Sequence, residues 1–215
     1  MDLDEAIKGR RSIRRYSERD IDEETLEQII QAGMWAPTAC NDQDYRFIII
    51  NDKNKFDELL AYGAATFIKD VHTAILVLYK NTSANQEYKD YFQSGSAVIQ
   101  TMLLKAHSLG LGSCWVCNLP SQKNMRHIFN IPANYSTIAL VSMGYPLSPP
   151  KPVQRKHKIN DVVCLNAFGF NNEENDPTIE RKKYLKRFLR RVYYRLPKSA
   201  FIRRWAEKLE KKFVN

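Results

Sequence analysis

Two apolar runs of the sequence most constrain the fold, because neither alternates between apolar and polar residues. Residues 72–80 read HTAILVLYK, and residues 137–146 read TIALVSMGYP. Runs of this kind are typical of strands buried within a sheet that other elements cover. Two further strands are predicted at residues 45–51, YRFIIIN, and at residues 112–119, GSCWVCNL.

Helical patterns fill the segments between these strands. Helices are predicted over residues 2–10, 20–36, 54–70, 85–110 and 121–130. Asp22 and Ser121 are expected to act as N-caps, and Gly110 as the C-cap of the longest helix. The fold class is therefore α+β or α/β, with helices that cover one sheet and cross over between its strands.

Charge is distributed unevenly along the 215 residues. The net charge is +9, yet residues 181–215 alone hold 14 Lys/Arg and 2 Asp/Glu. The remainder is mildly acidic, and the sequence pattern changes near residue 172. We expect one domain over residues 1–172 and a basic, amphipathic, helical C-terminal extension over residues 173–215.

The sequence also bears on the compartment. No run of about 18 apolar residues occurs, so no membrane-spanning helix is expected. The N-terminus is acidic and lacks the apolar core of a secretory signal. Four cysteines in a chain of this length do not make a disulfide framework. A cytoplasmic protein is expected, peripheral to the inner face of the membrane if the extension binds lipid.

Two polar segments contain residues suited to ligand binding. Residues 9–16, GRRSIRRY, surround Ser12 with four arginines, and guanidinium groups match phosphate oxygens in geometry and charge. Residues 36–47, APTACNDQDYRF, group one threonine with two amides, which suit a heteroaromatic ring or a polyol. A solvated basic turn and ordinary loop chemistry are the respective alternatives.

A Cys-x-x-Cys pair, Cys114 and Cys117, lies in the predicted strand 112–119. A redox pair needs its first cysteine near a helix N-terminus, and a zinc site needs two more ligands at suitable spacing. Residues i and i+3 of a strand point to opposite faces. We therefore expect neither a redox disulfide nor a metal site here.

Motifs of hydrolytic and nucleotide-cleaving enzymes are missing from the sequence. It contains neither a Gly-x-Ser-x-Gly elbow nor a Gly-x-x-x-x-Gly-Lys loop, and no catalytic acid or base stands out. This pattern favours a protein whose cofactor supplies the difficult chemistry, so no catalytic side chain is predicted.

Four motifs in this order resemble one known family. RRSIRRY, APTACNDQDYRFIII, AHSLGLGSCW and GYP followed by a basic segment are similar to the nitroreductase-like flavoproteins, over roughly residues 4–165. The resemblance implies a homodimer of the α+β nitroreductase-like fold, with a central mixed sheet flanked by helices and FMN at the dimer interface. It further implies ping-pong transfer of a hydride from NADH or NADPH through the flavin to a small electron-poor substrate, such as a nitroaromatic or a quinone.

The resemblance also implies the cofactor-binding residues. Arg10, Arg11 and Ser12 correspond to the phosphate site, and Arg14 to a basic residue near the pyrimidine end of the ring. A loop that often reaches the flavin of the partner subunit corresponds to Pro37, Thr38, Asn41 and Gln43. Residues whose backbone N–H groups face flavin N5 and O4 correspond to Trp115, Val116, Cys117 and Asn118. Arg155 corresponds to a basic residue that closes on the phosphate.

Two features depart from the family pattern or lie outside it. Asp44 and Tyr45 stand where the family usually has Pro and Trp. Separately, the long helix from about residue 86 to residue 110 is expected to form the dimer core through Ala97, Val98, Met102 and Leu103. The basic extension is expected to be a helical hairpin. It could wrap the partner subunit, bind an anionic membrane surface through residues 181–215, or bind nucleic acid, which is the least favoured of the three. A flavin-binding scaffold with little turnover, recruited through this extension, is the alternative to an enzyme.

Overall fold

The computed structural model describes residues 1–82, 85, 87–150, 152–170 and 181. The chain divides into two compact units, Met1–Pro150 and Lys151–Asn215. In the second unit, residues 152–170 contain one short 3₁₀ helix, Ile159–Asp161. The predicted extension, residues 173–215, lies outside the described residues except for Arg181, so its helical hairpin and its boundary at residue 172 stay predictions.

The first unit is built on a four-stranded sheet. The strands are β1 (Tyr45–Ile50), β2 (Thr73–Lys80), β3 (Gly112–Val116) and β4 (Tyr135–Gly144), in the order β1-β2-β4-β3. Every neighbouring pair is antiparallel. The apolar strands β2 and β4 occupy the two central positions, as their continuous apolar runs predict.

The expectation of a mixed sheet needs correction for these four strands. β1 ends and β2 begins at the same end of the sheet, with Ile50 opposite Ala74. The helical segment between them therefore returns to that end and is not a crossover connection. The true crossover joins β2 to β3, which run in the same direction but are separated by the antiparallel β4. Among the residues that the structure describes, parallel pairing is limited to one isolated bridge, between Ser12 and Ser113.

Five α-helices accompany these strands in the described part of the chain. They are α1 (Leu3–Gly9), α2 (Glu23–Met34), α3 (Lys53–Ala61), α4 (Asp90–Ser108) and α5 (Gln122–Phe129). The Asp22 carboxylate caps α2 by accepting from Thr25 N at 2.8 Å, and Ser121 caps α5. Gly110 follows the C-cap residue of α4 in a left-handed conformation, φ 79°. None of the described helices is long and apolar enough to cross a membrane.

The segment predicted as one helix over residues 54–70 is interrupted. α3 ends at Ala61, Gly63 takes a φ of 89°, and a 3₁₀ helix follows over Thr66–Asp70. A positive φ stops a right-handed helix, and glycine adopts it without steric cost. The apolar pattern continued through this point because both pieces face the same core.

Two apolar layers enclose the sheet. One face packs against α2 and α4, with fully buried residues such as Ile29, Val98 and Met102. The other face packs against α3, α5 and the 3₁₀ helix Thr66–Asp70. Val98, Met102 and Leu103, expected in a dimer core, are instead buried within their own chain, whereas Ala97 is half-buried, so a role of this helix in a dimer stays a prediction. The side chain of Met102 instead packs on α2, beside Gly33.

Candidate functional site

The basic segment, residues 10–16, lies against the outer edge of β3. Ser12 and Ser113 form the isolated parallel bridge, and Ile13 N donates to Ser113 O at 3.0 Å. A second isolated bridge joins Tyr16 to Pro146, just after β4. The segment is thus fixed to the sheet at both ends, although it forms no regular strand.

The same edge of β3 presents backbone N–H groups beyond the basic segment. Because Ser113 O accepts from Ile13, the backbone polar groups of Ser113 point away from β4. Backbone groups two residues apart in a strand point the same way, so those of Trp115 are directed to this outer edge as well. β3 ends at Val116 and not at Leu119 as predicted, and just past it the carbonyl of Cys117 accepts from Leu119 N at 3.1 Å. The stretch continues past β3 to Asn118, whose carbonyl accepts from Ala65 N at 2.9 Å. The described structure therefore aligns the two predicted cofactor-binding stretches of one chain along one edge.

The arginines of the basic segment are held by local contacts. Arg11 Nη1 donates to Lys8 O at 2.6 Å and to Arg10 O at 2.9 Å. The Arg14 guanidinium lies 5.8 Å from the centre of the Phe67 ring, a cation–π distance. Ser12 is exposed. Burial, followed by the positive charges of Arg10 and Arg11, lowers the pKa of nearby His107. This edge is consequently electropositive.

The loop that carries Pro37, Thr38, Asn41 and Gln43 has an unusual backbone. Cys40, Asn41 and Gln43 take φ values of 52°, 56° and 49°. Left-handed conformations of non-glycine residues are uncommon and are found where surrounding contacts enforce them. Such contacts are present here: Gln43 N donates to Thr38 Oγ1 at 3.3 Å, and Gln43 Nε2 donates to Asn41 Oδ1 at 2.9 Å.

Core side chains hold this loop from below. Ala39 N donates to Ser94 Oγ, on α4, at 3.0 Å. The hydroxyl of Tyr79, at the end of β2, donates to Asp42 Oδ1. Burial raises the pKa of Tyr79 to about 12, and the neighbouring Asp42 adds to this rise. The hydroxyl therefore stays protonated and remains a donor at neutral pH.

One chain does not bring the loop and the basic segment together. The loop leads into β1, which is one edge strand, whereas the basic segment lies on β3, the other edge strand. Three strand spacings separate these edges, about 14 Å. The two segments also lie toward opposite ends of the sheet, since Tyr45 pairs with Tyr79 and Gly112 with Gly144.

One known protein family matches more than half of the chain. The model of the nitroreductase family matches residues 7–71 and 59–145. A relative from Methanothermobacter thermautotrophicus is 35% identical over 156 residues, which cover 70% of this chain and 80% of the relative. Its provisional name is NADH dehydrogenase/NAD(P)H nitroreductase. The chain belongs to the nitroreductase family.

Solved structures of nitroreductase-family proteins share the fold. One from Clostridium difficile 630 superposes with a TM-score of 0.69 at 30% identity and covers 78% of this chain and 100% of its own. A provisionally named nitroreductase from Desulfovibrio desulfuricans, solved in complex with FMN, gives a TM-score of 0.65 at 30% identity, covering 77% of this chain and 96% of its own. The nitroreductase-like α+β fold predicted from the sequence is confirmed.

The donor set on the β3 edge fits the phosphate-bearing flavin of this family. Arg10 and Arg11 directly precede Ser12 in the chain, and two guanidinium groups with a hydroxyl are a combination suited to a dianion. Beneath them Ser113 Oγ is buried and has no hydrogen-bond partner in the described part of the chain. A cleft of about 1000 Å³ between α2, α3 and the ends of β1 and β2 fits poorly, because acidic side chains such as Asp20, Glu23 and Asp70 line it. None of the predicted site residues lines that cleft.

The remaining predicted residues lie elsewhere. Arg155 is exposed and belongs to the second unit, Lys151–Asn215, so its contact with the phosphate stays a prediction. Cys114 is buried and Cys117 is exposed, and both thiols are free. Burial raises the pKa of the Cys114 thiol, and partial shielding of the Cys117 sulfur from solvent raises the pKa of that thiol as well, which disfavours the nucleophilic thiolate in both. The described residues include no cluster suited to a metal ion.

Sequence reasoning missed the residues that hold the two segments in place. Tyr16, the last residue of the basic segment, is hydrogen-bonded to Ser142 in β4, and Tyr79 and Ser94 hold the loop. Their partners are far away in the sequence, so no local motif shows the contact. One available signal was glycine at the first position of β3, Gly112, and at the last position of β4, Gly144.

Proposed function

We propose that this nitroreductase-family protein is an NAD(P)H-dependent FMN oxidoreductase. It transfers a hydride from NADH or NADPH through the flavin to a small electron-poor substrate, such as a nitroaromatic or a quinone, in a ping-pong reaction. The observation that carries the proposal is the alignment of the basic segment with the outward-facing N–H groups of β3 along one edge. The complex of the Desulfovibrio desulfuricans relative with FMN supports the cofactor.

When bound, the flavin supplies the two-electron chemistry that the protein side chains lack. The role of the chain is to bind and orient it. Arg10, Arg11 and Ser12 are proposed to hold the phosphate. The outward-facing N–H of Trp115 and the N–H of Cys117, just past β3, are proposed to donate to the polar edge of the ring, with Val116 and Asn118 fixing the chain around them.

Arg14 is proposed to act on charge. A guanidinium beside the pyrimidine end of the ring stabilises negative charge where it develops on reduction. Its position over Phe67 limits its freedom, so little ordering is needed when the cofactor binds.

A second copy of the chain is proposed to complete the site. Pro37, Thr38, Asn41 and Gln43 lie about 14 Å or more from the basic segment of their own chain, across three strand spacings. A homodimer would bring this loop to the partner's flavin. Exposed apolar residues support an interface: Trp35, next to the loop, is 89% exposed, and Leu3 and Ile7 of α1 are exposed as well.

A visible spectrum of the purified protein tests the proposal. We expect flavin absorbance at one FMN per chain, which anaerobic NADH or NADPH bleaches and a quinone or nitroaromatic restores. The two half-reactions, measured separately, test the ping-pong order. Protein that stays colourless after incubation with FMN would overturn the assignment, and bound FMN that neither nucleotide reduces would favour a scaffold.

The basic extension is assigned a role from its sequence only. Residues 181–215 place aromatic and aliphatic residues between Lys and Arg at helical spacing, which suits an arm around the partner subunit, with binding to an anionic membrane surface as the alternative. Sedimentation with phosphatidylserine vesicles separates the two: for membrane binding the full chain should sediment and a chain lacking residues 176–215 should not. Equal behaviour of the two would favour the arm.

A further inference from the structure

We propose that Tyr16 is a positioning residue for the cofactor phosphate, because its buried hydroxyl fixes the backbone on which Ser12 and Arg14 are mounted. In the described hydrogen bonds Tyr16 contacts the side chain of neither Ser12 nor Arg14. It acts on them through the carbonyl of Ile13. The inference rests on the proposed function, in which the basic segment binds the phosphate of FMN.

The hydrogen bonds of Tyr16 have a defined direction. Its hydroxyl lies 2.6 Å from Ile13 O and 2.9 Å from Ser142 Oγ. A tyrosine hydroxyl has one hydrogen to donate. Two carbonyls lie within reach and can only accept, so Tyr16 donates to the nearer one, Ile13 O, with Ser142 O farther away at 3.2 Å, and it accepts from the Ser142 hydroxyl. Ser142 is fully buried in β4, and Tyr16 is 9% exposed.

This chain of bonds immobilises both polar groups of Ile13. The N–H of Ile13 donates to Ser113 O at 3.0 Å, and its carbonyl accepts from Tyr16. One bond anchors the residue to β3 and the other anchors it, through Ser142, to β4. Since Ser12 precedes Ile13 and Arg14 follows it, the directions of both side chains depend on this peptide geometry.

Packing prevents Tyr16 from moving away. A Cβ on Gly144 would lie 2.8 Å from the Cβ and Cγ of Tyr16, so the absence of a side chain there makes room for the ring. Ser17 N donates to Tyr145 O at 2.8 Å and fixes the following residue. Burial strongly raises the pKa of Tyr16, so the hydroxyl remains a donor over the pH range in which the protein is folded.

The Tyr16→Phe variant tests the proposal, with FMN and riboflavin as paired probes. Riboflavin lacks the phosphate but keeps the ring. Loss of the hydroxyl should raise the Kd for FMN about tenfold, the effect of one net hydrogen bond. The Kd for riboflavin should rise less, by no more than about threefold, because Arg14, at the pyrimidine end of the ring, follows Ile13 but the ring-binding edge of β3 is intact.

Two serine variants of the same strand give a matched comparison. Ser142→Ala removes the donor to Tyr16 but leaves the bond to Ile13, so the Kd for FMN should rise only about threefold, again with a smaller change for riboflavin. Ser136→Ala alters a buried serine at the other end of β4, whose hydroxyl lies 3.4 Å from Asn81 Nδ2. This control should leave the ratio of the two affinities unchanged.

The outcomes separate this inference from the proposed function. Wild-type protein that binds FMN no more tightly than riboflavin would overturn the phosphate assignment and the role of Tyr16 with it. A selective wild type whose selectivity survives Tyr16→Phe would overturn the role of Tyr16 alone. Equal weakening of both ligands would show a general structural effect and would likewise overturn it.

Discussion

Tyr16 and Gly144 are in direct contact, and this contact determines how the basic segment meets the sheet. A Cβ at Gly144 would come within 2.8 Å of the tyrosine, and a Cβ at Gly112 would come within 2.8 Å of Ile13. These two glycines are opposite each other in the β3–β4 ladder. The two glycines therefore leave room for the side chains of Ile13 and Tyr16 to pack directly on β3 and β4.

Gly144→Ala should disturb the packing of Tyr16 against β4. The added methyl group has no space, so we expect a loss of about 1–3 kcal/mol in the free energy of unfolding, measured by urea titration of the flavin-free protein. The affinity for FMN should fall more than that for riboflavin. Gly110→Ala is the control, because its strain comes from a φ of 79° and its Cβ would meet nothing within 4 Å. A similar loss of selectivity in both variants would contradict the prediction.

Tyr79→Phe should act on the loop instead of the phosphate. Removal of the hydroxyl leaves Asp42 without this donor, at a cost of about 1 kcal/mol in stability. Because the loop is assigned to the flavin ring, fluorescence titration should show FMN and riboflavin weakened to the same extent. Tyr62→Phe, which alters an exposed tyrosine, is the control. Selective loss of FMN affinity in Tyr79→Phe would place the loop at the phosphate.

Cys117→Ala should retain the flavin and most of the rate. The proposed contribution of Cys117 is its backbone N–H, which alanine keeps, and burial raises the pKa of the thiol so that it stays protonated. Flavin absorbance per chain and kcat with NADH provide the measurement, with Cys40→Ala as a second exposed cysteine for comparison. An inactive variant that still holds flavin would reveal a chemical role for the thiol.

His107 should make stability depend on pH. Burial, then the charges of Arg10 and Arg11, lower its pKa in the folded state. Below about pH 6.5 the unfolded chain therefore binds a proton that the folded chain does not, so this histidine destabilises the fold progressively as pH falls from about 6.5 through the lowered pKa. Above that window it has no such effect.

Urea unfolding of flavin-free protein between pH 5 and 7.5 would reveal this contribution, a window set by the ordinary pKa of histidine. His107→Gln should flatten the decline in stability on the acid side, whereas His72→Gln, at an exposed position, should follow the wild type. Identical slopes for wild type and His107→Gln would rule out the effect.

The sequence allowed accurate prediction where local chemistry decides the structure. The apolar runs located β2 and β4 in the centre of the sheet, and the side chains of Asp22 and Ser121 located two helix starts, since capping depends on bonds within three residues. Local patterns left α+β and α/β open, and the resemblance of four motifs to the nitroreductase-like flavoproteins predicted the α+β fold that the comparisons confirm.

Prediction failed where contacts between residues far apart in the sequence determine the structure. The apolar face of α4 resembles an interface in sequence, but α2 and the sheet of the same chain cover it. The bond from Tyr16 to Ser142 spans 126 positions and no local pattern encodes it. Likewise, the left-handed backbone at Cys40 and Asn41 depends on Ser94 and Tyr79, which belong to other elements.

The placement of the loop and the basic segment on opposite edges of the sheet has a genetic consequence. In the proposed dimer each flavin would be held by the basic segment of one subunit and the loop of the other. A chain damaged at Ser12 and a chain damaged at Asn41 would each be inactive alone. Mixed in one dimer, they would pair both lesions at one site and leave the other site intact, so half of the activity of each mixed dimer would return by complementation between two defective alleles.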